Sequence, residues 1–281
     1  MLTFPHGLSH VELAAIADLE RRVLAVDGGR LKLEWGTLRA RAGDNVEDVL
    51  AWKDGQLIGF VGTYCFDRVT VELAGMVDPA VRRGGVANAL LDAAVSLCTA
   101  RGLKEILVVV PRGSTGGQAL AVGRGAVPHH SEHALMLSVA PSSSAPDPRL
   151  TLRPAGPADA PGIARLLAAG FGGNPADLLG GVSAQLDATL VAEQAGALVA
   201  TLRIERDGAD GAVYGFVVDP ARQSQGLGRQ ILERVCAQLF SAGAGSVALE
   251  VATTNERALG LYTSIGFEPV AVEDYYVLPG S

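Results

Sequence analysis

Apolar and polar positions in the second half of the chain form two kinds of segment. Short runs rich in valine, alanine and leucine, bounded by turn residues, predict strands. Longer stretches with apolar residues three and four positions apart, such as Ile163, Leu166 and Leu167, predict helices. The predicted order is strand, helix, three strands, helix, strand, helix and strand, over residues 150–154, 157–169, 188–194, 196–206, 212–220, 226–241, 246–252, 255–265 and 268–278.

The first half follows the same order, with a first strand that is short or missing. The pattern predicts a helix over 9–25, a hairpin over 51–65, a strand at 69–77, a helix over 85–100 and a strand at 106–110. Strands that come first, followed by strand–helix–strand crossovers, imply a mixed α/β fold. We therefore expect a mostly antiparallel, twisted sheet flanked by helices in each half.

The two halves are related as an internal repeat. A shift of 141 residues places VDPAVRRGGVA (77–87) on VDPARQSQGLG (218–228) without a gap, and this register holds to the end of each half. The segment APSSSAPDPR (140–149) is rich in proline and serine and is typical of a linker. The sequence therefore predicts a duplicated domain, with copies at 1–139 and 150–281.

Composition restricts the partners of the protein. The formal net charge of −7 argues against nucleic-acid binding, which requires clustered lysine and arginine. The N-terminus lacks the features of a signal peptide, and no apolar run reaches the ~18 residues of a membrane span. We therefore expect a cytoplasmic protein, monomeric or homodimeric, that does not bind a membrane. Cys65, Cys98 and Cys236 lack metal-binding spacing and are expected to be buried thiols.

The segment QSQGLG (223–228) lies where a predicted strand becomes a helix. Backbone N–H groups in the first turn of a helix lack internal partners, and glycines let an anion approach them closely, so the segment predicts a phosphate-binding loop. The chain lacks the Gly-Lys-Ser/Thr of a nucleoside triphosphate loop, and Ile231 replaces the third glycine of a dinucleotide fingerprint. The remaining alternative is a plain strand-to-helix turn that uses glycine for its geometry.

The pattern Gln/Arg-x-x-Gly-x-Gly/Ala, preceded by Val-Asp-Pro, occurs at 223–228 and again at 82–87. It resembles the loop with which the GCN5-related N-acetyltransferase (GNAT) family holds the pyrophosphate of acetyl-CoA. The resemblance implies that the strand at 213–218 splays from the strand at 247–252, and that the pantetheine arm of the coenzyme lies in the gap. The residues that it assigns to coenzyme binding are Val217, Val218, Gln223, Ser224, Gln225, Gly226, Leu227, Gly228, Arg229 and Asn255, with a candidate second site at Val77, Arg82, Arg83, Gly84, Gly85, Val86 and Ala87.

The segment LEVATTNERALGLYTSIGFEPVAVEDYY (249–276) is similar to the ribosomal-protein alanine acetyltransferases of this family. Thr253 and Glu256 have the spacing of a capping box, so a helix is expected to begin near Asn255. The resemblance implies that Glu250 acts as general base on the attacking amine and Tyr262 as general acid on the leaving thiolate. The alternatives are a salt-bridging Glu250 and an ordinary core tyrosine at 262.

The first copy departs from this pattern. In place of Glu250, Asn255, Tyr262 and Phe267, it has Val109, Ser114, Ala121 and Ala126. Glu72, on the strand before the first loop, is a candidate substitute base. We expect the first copy to scaffold the second or to wall its substrate cleft, and its ability to hold coenzyme stays open.

Three histidines of the first copy, His129, His130 and His133, cluster with Glu132 and invite interpretation as a metal site. Neighbours on a strand are expected to face opposite sides, however, which favours solvated or edge histidines over metal ligands. The sequence therefore predicts no metal site.

The main functional hypothesis is a tandem acetyltransferase whose second copy uses acetyl-CoA and releases coenzyme A. The two-copy layout resembles the mycothiol synthases, whereas the 249–276 segment is closer to the ribosomal-protein enzymes. The acceptor is therefore left as a primary amine, either a peptide N-terminus or a small molecule. The alternatives are a non-catalytic acetyl-CoA-binding sensor or scaffold and, more distantly, a dinucleotide oxidoreductase.

Overall fold

The computed structural model describes residues 1–65, 69–142, 147–208 and 210–280. Contacts divide the chain into two compact units. Unit 1 comprises residues 1–133 and the chain from Val270 onward, and unit 2 comprises Ala134–Pro269. Residues 143–146 of the predicted linker and Ser281 of the predicted second copy lie outside the described residues.

Unit 1 contains a sheet in the order β1-β2-β3-β4-β5-β12. Its neighbouring strands are antiparallel except for the parallel pair β4 and β5. The elements are β1 (Leu2–Thr3), α1 (His10–Asp27), α2 (Trp35–Arg39), β2 (Asp48–Lys53), β3 (Gln56–Cys65), β4 (Thr70–Val77), α3 (Val86–Ala100), β5 (Glu105–Pro111), α4 (Thr115–Gly123), β6 (Val127–Leu137), which continues into unit 2, and β12 (Glu268–Val277).

Unit 2 repeats this arrangement with β7 at one edge and β6 beside β11 at the other. Only β10 and β11 are parallel among its pairs from β7 to β11. The elements are β7 (Leu150–Pro154), α5 (Ala160–Phe171), α6 (Pro175–Ala184), β8 (Thr189–Gln194), β9 (Ala197–Asp207), β10 (Asp210–Val218), α7 (Leu227–Ser241), β11 (Ser246–Ala252) and α8 (Glu256–Ile265). The expected mixed, mostly antiparallel fold is confirmed.

Local sequence explains most element boundaries. Ser9 and Glu12 form a reciprocal capping box at the start of α1. Asp54 and Gly55 both have positive φ in the β2–β3 turn, as do Ala195 and Gly196 in the β8–β9 turn, which is the backbone that tight hairpins require. The sequence did not predict α2 or α6. The glycine pair at 180–181 inside α6 lowers helix propensity, so tertiary packing decides that element.

Each sheet has a hydrophobic cluster on both faces. In unit 1, one face packs on α3 and α4, and the other packs on α1 and the chain that leads into α2. In unit 2, α7 and α8 cover one face, while α5 and α6 cover the other. Alternate residues of a central strand therefore belong to different clusters.

The last strands do not follow the order of the sequence repeat. β12 comes from the second copy, yet its residues from Val270 onward belong to unit 1, where Glu273–Val277 pair antiparallel with β5. The end of β6 comes from the first copy, yet it belongs to unit 2. The compact units thus differ from the predicted copies in these strands, and the copy boundaries at 140–149 stay a prediction about the repeat.

One irregularity distinguishes β10 from its counterpart β4. The register of β10 against β9 shifts between Tyr214 and Val217, and Gly215 lies inside this bulge at φ +57°. The pairing of β4 with β3 runs without a shift from Val71 to Val77. A bulge adds one residue to a strand and bends it, so the second copy has a bent β10 where the first has a regular β4.

We expect Gly215→Ala to lower the free energy of unfolding by about 1–2 kcal/mol, because an L-residue is strained in the left-handed region. A Cβ at this position would meet Leu167 at 3.6 Å, an ordinary contact, so strain is the main cost. Gly260→Ala is the control, since this glycine is exposed inside α8 and alanine there is expected to stabilise the helix. Urea unfolding measures both, and an unchanged stability of Gly215→Ala would contradict the prediction.

Candidate functional site

A gap between the two parallel strands of unit 2 forms the centre of the candidate site. Pairing of β10 with β11 runs from Asp210 and Ser246 to Val213 and Leu249, where it ends. The rest of each strand, 214–218 and 250–252, diverges, which confirms the predicted splay. Backbone groups on these two edges are therefore available to an extended ligand, as in strand addition.

The predicted phosphate loop follows directly from β10. Ser224 (φ +62°) and Gly226 (φ +79°) are both left-handed, and Gly226 is the N-cap residue of α7, which has no side-chain cap. The first-turn N–H groups of α7 therefore meet no capping side chain, and the helix dipole favours an anion in front of them. In unit 1, Arg83 (φ +66°) and Gly85 (φ +85°) give the same backbone at the start of α3.

Side chains of the loop bond within the protein. The Nε2 group of Gln223 donates to the Val218 carbonyl at 3.0 Å. Arg257 donates to Gln223 Oε1 at 2.8 Å and to Ser224 Oγ at 2.9 Å. These side chains fix the shape of the loop, so its backbone N–H groups are the donors suited to a ligand. Sequence reasoning missed Arg257, although its place two residues after the predicted helix start was a usable signal.

The other predicted coenzyme-binding residues have different environments. Val217 and Leu227 are buried side chains, whereas Gln225 is exposed on the loop. Gly228 lies against α8, because a Cβ there would meet Leu261 at 3.3 Å. Arg229 donates to the Ser264 carbonyl at 3.2 Å and so ties α7 to α8.

The two valines of β10 differ in the direction of their backbone groups. The Asp219 N–H donates to the Val199 carbonyl of β9 at 2.8 Å. Backbone groups of alternate strand residues point to opposite edges, so Val217 is directed to β9 like Asp219, and Val218 is directed to the gap. We therefore expect Val218, more than Val217, to offer its backbone N–H to a ligand there, since its carbonyl already accepts from Gln223.

Asn255 caps α8, with its side-chain oxygen accepting from the Ala258 N–H at 3.1 Å. The helix begins at Glu256 as expected, but the predicted capping residue Thr253 is wrong, since Asn255 takes that role. Ser114 caps α4 in the same way through the Gly117 N–H. A cap at this position is therefore common to both copies, whatever else Asn255 does.

The candidate base and acid lie on different faces of the sheet. Leu249 and Val251 belong to the cluster under α7 and α8, so Glu250 between them is directed to the α5–α6 face, where it is partly buried. Tyr262 is buried in the α7–α8 cluster beside Phe267, at 6.1 Å between ring centroids. Burial raises the pKa of the Tyr262 hydroxyl to about 12, so it keeps its proton at neutral pH.

A cavity of about 640 Å³ adjoins the loop. Its volume lies in the range of small-molecule sites. Arg149 of this cavity is paired with Asp147 at 2.9 Å. The lining residues are Asp147, Arg149, Gln194, Ala195, Arg222, Gln225 and Leu227.

The predicted orientation of two histidines in the cluster of unit 1 is wrong. His129 and His130 do not face opposite sides, because their ring centroids lie 4.9 Å apart in edge contact. His130 also stacks on Tyr275 at 4.0 Å, and burial lowers its pKa. In the part of the chain that the structure describes, no group of three or more metal-ligating side chains is placed to hold an ion. Among the same residues, no helix is long and apolar enough to cross a membrane.

Comparison with known proteins identifies the family and the fold. The sequence profile of the acetyltransferase (GNAT) family matches residues 18–121 and 174–267. Over 85 residues the chain is 41% identical to a mycothiol acetyltransferase of Beutenbergia cavernae, covering 30% of this chain and 29% of that protein. Over 67 residues it is 36% identical to the ribosomal protein bS18 alanine N-acetyltransferase of Escherichia coli, covering 24% of this chain and 45% of that protein. The matched segments thus span less than half of either relative.

A GCN5-related N-acetyltransferase from Sphaerobacter thermophilus has the same fold, with a TM-score of 0.78 at 18% identity, over 100% of this chain and 96% of that one. The chain belongs to the acetyltransferase (GNAT) family, with two matches in tandem. The profile of this family is that of acetyltransferases.

Two substitutions of Asn255 distinguish its role as a helix cap from a role in binding coenzyme. We expect Asn255→Ala to lower the free energy of unfolding by about 1 kcal/mol and Asn255→Ser, which keeps a capping oxygen, to leave it nearly unchanged. If the amide also binds coenzyme, both variants weaken acetyl-CoA binding measured by calorimetry. Unchanged affinity in Asn255→Ser would limit the residue to capping.

Proposed function

We propose that the chain transfers the acetyl group of acetyl-CoA to a primary amine and that unit 2 carries the reaction. The observation that carries the proposal is the gap between β10 and β11. The uncapped start of α7 follows β10, and Glu250 is the first residue of β11 beyond the last pair of the ladder, on the face opposite the cluster that contains Tyr262. Glu250 would then face an amine that enters from its side of the sheet, and Tyr262 would lie on the side of the leaving sulfur.

The residues present fit the coenzyme. The backbone N–H groups around Gly226 suit a pyrophosphate, and the edge of Val218 suits the amide-bearing pantetheine arm. When bound, acetyl-CoA supplies an activated acetyl thioester. The chain would hold that group in the gap and orient it between the two faces of the sheet.

Proton handling differs between the two side chains. Glu250 would accept the proton of the attacking amine, directly or through water. An ordinary thiol has a pKa of about 8.5, well below the value of about 12 for Tyr262. Full proton transfer from the phenol to the thiolate is therefore uphill, and we assign Tyr262 a hydrogen bond that stabilises the developing thiolate.

The acceptor is proposed only as a primary amine. Of the two relatives named above, one is named for mycothiol and the other for an alanine of a ribosomal protein. A peptide N-terminus and a small-molecule amine are therefore both carried forward. Non-catalytic coenzyme binding remains the second candidate, because unit 1 combines the loop backbone with Val109 and Ala121 at the catalytic positions.

Glu250→Gln is expected to lower kcat/KM by about 10²–10⁴-fold, and Tyr262→Phe by the lower end of that range or less. Release of coenzyme A with a panel of N-terminal peptides and small amines measures both. Because Tyr262 keeps its proton, the alkaline limb of the pH–rate profile is not expected to move in Tyr262→Phe up to about pH 10. Rates of both variants equal to the wild-type rate would remove the assignment.

A matched pair of variants tests which of the two loops binds acetyl-CoA for the reaction. Gly226→Val places a β-branched residue at φ +79° and is expected to lower acetyl-CoA affinity at least about tenfold. Gly85→Val imposes the same strain at φ +85° in unit 1 and should leave turnover within about twofold. Calorimetry and turnover measure these effects. Loss of turnover only in Gly85→Val would assign the reaction to unit 1. Binding of acetyl-CoA without turnover in the wild type and in both variants would favour the non-catalytic acetyl-CoA-binding protein.

A further inference from the structure

A buried ammonium group lies among oxygen atoms in unit 1. Lys32, in the segment between α1 and α2, is only 6% exposed. Its Nζ lies 2.5 Å from the Tyr275 hydroxyl, 3.2 Å from Glu72 Oε2 and 3.7 Å from Glu132 Oε2. The Tyr275 hydroxyl in turn donates to Glu132 at 2.8 Å. We call these four residues the ammonium cluster.

The cluster has the composition of a site for a primary amine. An ammonium group has three donors, and here it faces three oxygens, two of them on carboxylates. Burial of a charge is costly unless it is paired and hydrogen-bonded, so this geometry offsets a large desolvation cost. The ring of Tyr275 is held in place by the stacked ring of His130 at 4.0 Å.

The cluster lies beside the gap of unit 1. Pairing of β4 with β5 ends at Leu73 and Val108, one residue beyond the pair of Glu72 with Leu107. Tyr275 pairs with Val109, which occupies the position of Glu250 in the repeat. Val109 and Tyr275 share the cluster packed on α1. The ammonium group therefore lies on the face that corresponds to the Glu250 face of unit 2.

Unit 2 has small residues at the places that match Glu72 and Tyr275, whereas the repeat matches Glu132 to Glu273. Pairing with the neighbouring strand matches Glu72 to Ala212, and the repeat matches Tyr275 to Ala134. The α5–α6 connection is the short Gly-Gly-Asn segment at 172–174, and unit 2 has no lysine. Unit 2 thus lacks counterparts of Lys32, Glu72 and Tyr275 in this region.

We propose that unit 1 contains a site for a primary ammonium group and that its own Lys32 fills this site. Unit 1 consequently takes no external amine there, and Glu72, the candidate substitute base, is a partner of Lys32 instead. That the Glu250 face of unit 2 receives an amine rests on the proposed function, whereas the filled ammonium site rests on the geometry of unit 1 alone.

Lys32→Ala removes a propylammonium group and leaves the carboxylates of Glu72 and Glu132 in place. We expect a thermal midpoint several degrees below the wild type, which rises with n-propylammonium chloride as ligand linkage requires. Propan-1-ol and tetramethylammonium chloride at equal concentration lack the charge or the N–H donors and should raise it far less. In Lys32→Ala/Glu72→Gln the propylammonium effect should largely disappear. Equal responses to the three compounds, or in both variants, would overturn the proposal.

Acetic anhydride labelling provides a second measurement that needs only folded chains with Lys32 intact. Lys53 and Lys104 are exposed and serve as internal standards on the same molecule. Lys32 is expected to react at least about tenfold more slowly than either, and severalfold faster in Glu72→Gln, where its ammonium form has lost one carboxylate. A Lys32 that reacts as fast as the standards, or equally in both chains, would overturn the assignment. Neither measurement depends on acetyl transfer. If the chain proved not to transfer acetyl groups, both would still test whether Lys32 fills the ammonium site.

Discussion

The early end of the β10–β11 ladder is the constraint on which the rest of unit 2 depends. Parallel strands that stayed paired would consume the backbone groups at 214–218 and 250–252 and would seal one face of the sheet from the other. The bulge at Gly215 bends β10 as the pairing ends. This gap is the feature through which the proposed function connects the start of α7, the edge of Val218, Glu250 and Tyr262.

Main-chain geometry, more than side-chain chemistry, defines the loop. QSQGLG and RRGGVA share few residues, yet both place two left-handed residues at matching positions before a helix. The residue before each pair donates to the last carbonyl of the strand, Gln223 to Val218 and Arg82 to Val77. Different partners then hold it, Arg257 in unit 2 and Asp27 in unit 1. A duplicated loop can therefore keep its shape while its surroundings diverge.

The two units differ most in where they place charge. Unit 1 buries Lys32 among carboxylates beside its gap, whereas unit 2 has no lysine and has alanine at the places that match Glu72 and Tyr275. Unit 1 also has Val109 and Ala121 in place of Glu250 and Tyr262, and a regular β4 in place of the bulged β10. These changes fit one unit that is filled by its own side chains and one that keeps room for a ligand.

The sequence by itself determined the strands and most helices, the internal repeat, the loop and its place before a helix. These features depend on local periodicity, turn residues and spacing, which are written along the chain. Only the tertiary structure decided the short helices α2 and α6, the exchange of β6 and β12 between units, the bulge at Gly215 and the partners of Lys32 and Arg257. Strand exchange and long-range ion pairs join residues up to 243 positions apart, as between Arg30 and Glu273, and no local pattern records such pairs. Asn255 illustrates both contributions. The spacing of residues in the sequence located the helix start, but only the folded geometry identified the residue that caps it.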